Sequence, residues 1–87
     1  MSRQRSIEKI EASETITIGE IVRLTGTRYS TLKHYTEEGM LPFEPTEEKL
    51  TRRYDRVRTL SRLERIKQMR AEGMSIPKIK ERLAALQ

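Results

Sequence analysis

Apolar residues at Ile18, Ile21, Val22 and Leu24 are spaced to fall on one side of a short helix. Thr17 followed three residues later by Glu20 has the form of a capping box, so the helix is predicted to run from Ile18 to Thr25. Gly26 then stands where a left-handed residue ends a helix. A second periodic run follows at once, with Leu32 and Tyr35 apolar and Gly39 as its stop, which predicts a helix from Tyr29 to Glu38. Two short helices joined by a tight turn make a helix-turn-helix. In such a unit the first helix packs across the second and leaves the second one's outer face free to enter a DNA major groove.

The pattern changes after Met40. Pro42 and Pro45 block a continuing helix, the polar run Thr46, Glu47, Glu48, Lys49 reads as the tip of a hairpin, and Leu50 to Tyr54 reads as its return strand. Asp55 is a good N-cap for a third helix reaching about Glu72, along which Val57, Leu60, Leu63, Ile66 and Met69 recur every three residues. A period of three drifts around a straight helix, so its two ends are expected to bury somewhat different faces. Gly73 ends it, and Ser75 caps a fourth helix with Pro77 in the first turn and Ile76, Ile79 and Leu83 on its packed face. Residues 1–14 carry two isolated isoleucines, Ile7 and Ile10, and no sustained period, so they are read as a flexible N-terminal arm in front of a domain spanning 15–87. Arg3 and Arg5 are its candidate phosphate contacts, although plain disorder is the favoured reading. The fold class is mainly α with one small β-hairpin and about four helices.

Composition narrows the function. A chain of 87 residues holds one domain with a small core, and hydrophobic residues at 34% against 36% charged ones suit a compact helical domain with a frayed end. Lys and Arg number 18 against 13 Asp and Glu, a net charge of +5 that favours a polyanionic partner, nucleic acid first. The arginines crowd from Arg52 to Arg65, which strengthens that reading. With no cysteine and His34 as the only histidine, neither a disulfide framework nor a metal site is expected, and no cofactor. No apolar run approaches a membrane span and the N-terminus lacks the apolar core of a signal peptide, so a cytoplasmic, nucleoid-associated protein is expected. No nucleophile–base pair, phosphate-cradling glycine loop or metal cluster supports an enzyme.

The segments TIGEIVRLTG, TLKHYTEEGML and TRRY, with a closing G-x-S at Gly73 to Ser75, resemble the DNA-binding domain of the MerR family of bacterial transcription regulators over about residues 16–84. That resemblance implies a winged helix-turn-helix, in which the second helix reads the major groove and the hairpin is a wing gripping flanking phosphates. Arg52 and Tyr54 match the family's R-x-Y wing motif, with the arginine as phosphate ligand. Departures are local. Arg28 stands where a serine cap is usual, which leaves Thr27 as the candidate cap, and Ser30 stands where an arginine is common. Lys33 and His34 replace Arg and Tyr, Arg56 and Arg58 replace acids, and the glycine usual near the wing tip is absent.

Placing Leu32 and Tyr35 inward puts Tyr29, Ser30, Lys33 and His34 on or near the outer face of the second helix, with Thr31 at its margin. Arg28, Tyr29 and Ser30, at the helix start, are the candidates for base reading, and Lys33 and His34 for phosphate. On the wing and its flank the candidates are Lys49, Arg52, Arg53, Tyr54 and Arg56, with Tyr54 divided between core packing and a phosphate contact through its hydroxyl. Double-stranded DNA is the expected partner. The leading reading is a sequence-specific transcription regulator; alternatives are a small architectural factor of a mobile element or plasmid, excisionase-like or partition-related, and, third, a protein-interaction module for an acidic partner. After Leu83 only about one turn remains, so the free chain is expected to be monomeric and to self-associate on DNA or through a C-terminal region absent from this sequence.

Overall fold

The reciprocal cap expected at Thr17 and Glu20 is closed. The Thr17 amide donates to Glu20 Oε1 at 2.9 Å, and the Glu20 amide donates to Thr17 Oγ1 at 3.2 Å. This computed structural model describes residues 5–45 and 52–85; the turn expected at Thr46 to Lys49, Leu50 and Arg3 lie outside the described residues. In chain order the elements are α1 (Ile7–Ala12), β1 (Thr15–Ile16), α2 (Ile18–Thr25), α3 (Tyr29–Glu37), β2 (Glu44–Pro45), β3 (Arg52–Asp55), α4 (Arg56–Ala71) and α5 (Ile76–Ala85). The architecture is a winged helix-turn-helix: α2 and α3 form the helix-turn-helix, and β2 with β3 forms the wing hairpin.

The turn between α2 and α3 rests on Gly26, which adopts the left-handed conformation at φ 74° and donates its amide to the Val22 carbonyl. Strand β3 is the middle of a three-stranded antiparallel sheet in the order β1-β3-β2, with Ile16 opposite Tyr54 and Pro45 opposite Arg52. A two-residue β1 carries too short a pattern to be read from sequence. Pairing with β3 nonetheless brings Ile16 into the core, where Ile21, Leu32, Leu41, Tyr54, Ile66 and Ile79 meet from every helix after α1 and from the sheet. Burying each such side chain stabilises the fold by about 1.5–3 kcal/mol before entropy is counted.

The N-terminal segment departs from the arm expected at residues 1–14. Ser6 caps α1, a fifth helix, and Ile10 is fully buried in the same core while Ile7 stays exposed. One inward isoleucine on a six-residue helix is no periodicity at all, and that is why the pattern reads as unstructured. Arg5 is likewise not free for phosphate: its guanidinium makes two hydrogen bonds of 2.7 Å to the Glu20 carboxylate and a third of 2.7 Å to Ser13 Oγ. Arg23, on α2, donates to the Arg5 carbonyl.

Asp55 caps α4 by accepting from the Arg58 amide at 2.9 Å. The three-residue stripe along α4 holds in its middle and fails at its start. Leu63 and Ile66 are buried and Leu60 and Met69 half-buried, but Val57 is 64% exposed and Thr59 takes the inward place. Thr59, Leu63 and Ile66 follow the helical spacing of four and three that a straight helix imposes. Gly73, at φ 88°, closes α4, and Ile79 and Leu83 pack α5 on the core. Among the described residues no helix is long and apolar enough to cross a membrane.

Candidate nucleic-acid interface

Helix α3 is held by its inner face. Leu32 is fully buried, Tyr35 and Thr36 nearly so, and this fixes the opposite side toward solvent. Arg28, Tyr29, Ser30, Lys33 and His34 are all exposed, Tyr29 by 56%, and Thr31 is intermediate as its marginal position implies. Glu37 is exposed as well, one turn beyond Lys33, and sequence reasoning gave it no role. The outer face therefore offers cations, hydroxyls, an imidazole and one carboxylate to a partner.

Thr27 does not cap α3. The cap residue is Arg28, in extended conformation and without a side-chain hydrogen bond to the helix. Thr27 is engaged elsewhere, since its hydroxyl accepts from Thr25 Oγ1 at 2.9 Å and its amide donates to the same oxygen at 3.1 Å. An N-terminus uncapped by any side chain leaves amide donors and the positive end of the helix dipole beside the Arg28 charge.

The hairpin brings Arg52 out and Tyr54 in. Arg52 is exposed, with its guanidinium carbon 4.7 Å from the centroid of the Phe43 ring. Tyr54 is fully buried and its hydroxyl lies 2.9 Å from Thr36 Oγ1. Of the two readings of Tyr54, core packing is the correct one. A hydroxyl already paired inside the core has no access to a phosphate. Arg53, on the other face of β3, is half-buried. Lys49 lies outside the described residues.

Arg56 is half-buried and partly engaged within the protein. Its Nε donates to the Ser13 carbonyl at 2.8 Å and its amide to the Glu14 carbonyl at 2.9 Å, so it ties the start of α4 to the strand-entry segment behind α1. The basic first turn of α4 is thus offset in part by protein carbonyls, whereas Arg58 remains exposed. Farther along α4, Arg62 reaches the Met40 carbonyl at 3.4 Å; burial, then the nearby charges of Arg58 and Arg65, lowers its pKa.

Electrostatics at the base of the helix-turn-helix centre on Glu20. The Arg5 guanidinium holds its carboxyl down at about 2, helped by the Thr17 amide and the more distant Arg53 charge, and opposed by partial burial. Neither Phe43, Thr36 nor the Arg5–Glu20 pair was picked out from sequence. The only signal for Phe43 is that it is the single phenylalanine of the chain, set between two prolines.

The model of the MerR HTH family regulatory protein matches residues 16–86. The chain belongs to the MerR family. The match begins at Ile16, so α1 and Arg5 lie ahead of the family's common region, while α2, α3, the hairpin, α4 and α5 lie inside it. MerR-family helix-turn-helix domains are those of DNA-binding regulators. Comparison with curated proteins and with solved structures gives no match.

Proposed function

We propose that this MerR-family chain binds double-stranded DNA sequence-specifically as a transcription regulator, with α3 in the major groove and the wing on flanking phosphates. The observation that carries the reading is the outer face of α3. Arg28, Tyr29, Ser30, Lys33 and His34 stand exposed opposite a side anchored by Leu32, Tyr35 and Thr36. Such a helix can enter a groove without unfolding anything. Arg28, Tyr29 and Ser30, at its N-terminal end, approach base edges; Lys33 and His34, farther along, meet phosphate.

Arg52 is the wing's contact, because it is exposed and charged while Tyr54 beneath it belongs to the core. Net charge of +5 supports attraction to a phosphate backbone, which sets affinity without setting sequence. A regulator of this kind works in the cytoplasm, on the nucleoid.

Selection of bound fragments from genomic DNA tests the proposal. Enrichment of a palindromic site within promoters is the expected result. Tandem repeats at an attachment or partition locus would shift the role to an architectural one, and no enrichment over random fragments would contradict sequence-specific binding. Titration at two salt concentrations separates DNA binding from capture of an acidic protein, since phosphate neutralisation gives a slope near one unit of log affinity per contact.

A further inference from the structure

Phe43 is a large apolar side chain left 37% exposed at the base of the wing, and its neighbours explain why it stands there. Its ring centroid is 6.1 Å from that of Tyr54, tilted by 48°, and the Arg52 guanidinium carbon lies 4.7 Å from the same ring on the solvent side. Strand register produces the stack. Glu44 faces Arg53 and Pro45 faces Arg52, so one residue back Phe43 comes opposite Tyr54. Residues 52 and 54 share a face of β3 because side chains alternate, and a diagonal neighbour two positions away is within reach of an aromatic ring. At the bottom of the stack Tyr54 is fully buried and hydrogen-bonded to Thr36 of α3 at 2.9 Å.

We infer that Phe43 is a positioning residue for Arg52: it holds the guanidinium by its face and leaves the N–H edge turned out toward a phosphate of the DNA backbone. This rests on the proposal that Arg52 contacts DNA. A guanidinium is planar, so a ring can occupy its face while all its in-plane donors stay available for an anionic oxygen. A free arginine on a two-stranded wing samples many rotamers, and ordering it on binding costs affinity. Stacked on Phe43, it is ordered beforehand. Because the base of the stack is anchored through Tyr54 to Thr36, the wing cation is also held at a set distance from the recognition helix, the relation that decides whether both reach one duplex together. An exposed cation–π contact corresponds to roughly a two- to fivefold effect on affinity.

A double-mutant cycle on the full chain tests it, with a random-sequence 20-base-pair duplex as probe, since phosphate contacts need no operator. Dissociation constants are read by fluorescence anisotropy for wild type, Phe43→Leu, Arg52→Ala and the double variant, with the melting temperature of each recorded to show that it is folded. Phe43→Leu is expected to weaken binding about two- to fivefold in the wild-type background and to have no effect beside Arg52→Ala, while Phe43→Trp, which keeps a ring face, retains wild-type affinity. Equal effects of Phe43→Leu in both backgrounds, or no effect where Arg52→Ala does weaken binding, would overturn the inference. If Arg52→Ala changes nothing, the wing contact itself is wrong and the role of Phe43 falls with it. A DNA-free measurement separates the two failures: the Arg52 Cδ protons of the free protein should be shifted upfield by the ring and return to ordinary values in Phe43→Leu. Ordinary values in wild type would remove the stack and leave the Arg52 contact standing.

Discussion

The hydroxyls of Thr36 and Tyr54 meet at 2.9 Å inside the core, joining the inner face of α3 to the central strand of the sheet. Thr36 also donates to the Leu32 carbonyl at 2.9 Å, so its single proton is spent there and Tyr54 is the donor of the pair. Thr36→Val therefore strands a buried O–H, whereas Tyr54→Phe leaves behind only an acceptor lone pair. We expect a loss of about 1–3 kcal/mol for Thr36→Val and about 1 kcal/mol for Tyr54→Phe, with the double variant losing less than the sum. Urea denaturation of the four proteins measures this, and strict additivity would show that the two hydroxyls do not interact.

Ile10 gives a second prediction. Its side chain is fully buried although it lies ahead of the family's common region, so Ile10→Ala should destabilise the domain by about 2–4 kcal/mol through lost burial and a cavity. Ile7→Ala, one turn earlier and exposed, should change stability by less than about 0.5 kcal/mol. Equal, small effects at both positions in urea denaturation would mean that α1 does not dock.

The Glu20 carboxyl links stability to pH. Its pKa is held at about 2, from an ordinary 4.5, first by the Arg5 guanidinium. A depressed carboxyl contributes its full stabilisation above the unfolded value of 4.5 and loses it as pH falls toward about 2. The contribution is about 2 kcal/mol, as for a hydrogen-bonded charged group. In Glu20→Gln the denaturation midpoint should start lower at neutral pH and fall less across that window. A parallel fall in wild type and variant would detach Glu20 from the pH dependence.

The HTH core was legible because its signals are local. Thr17 and Glu20 cap each other within one turn, Gly26 needs a positive φ, and Leu32 with Tyr35 shares a helical face, so the bounds of α2 and the outward set on α3 follow from neighbours in sequence. What stayed hidden depends on partners far along the chain. Ile10 is inward only because the core of later helices receives it, Arg5 pairs across 15 residues with Glu20, and Tyr54 is pinned across 18 residues by Thr36. For Arg56 charge was the only visible property, and the hydrogen bond from its Nε to the Ser13 carbonyl, 43 positions earlier, could not be seen. Val57 shows the opposite fault: it was counted among the buried positions of a run at period three whose drift was expected, and helix geometry let Thr59 take its place.

For the wing, Arg52→Ala should weaken binding to the preferred site and to random DNA by similar factors and lower the salt slope by about one unit, because a phosphate contact positions the domain without reading bases. Anisotropy titrations at two salt concentrations provide the slope, and an unchanged slope would remove Arg52 from the interface.

The most direct test of sequence reading by α3 compares Tyr29→Ala and Arg28→Ala with wild type on the selected site and on random duplex. Neither side chain is buried and Arg28 makes no cap hydrogen bond, so both variants should fold normally. Each should lose about 1–3 kcal/mol on the selected site, confined to one or two base pairs, and bind random DNA nearly as wild type does. Equal losses on both duplexes would contradict base reading by the start of α3.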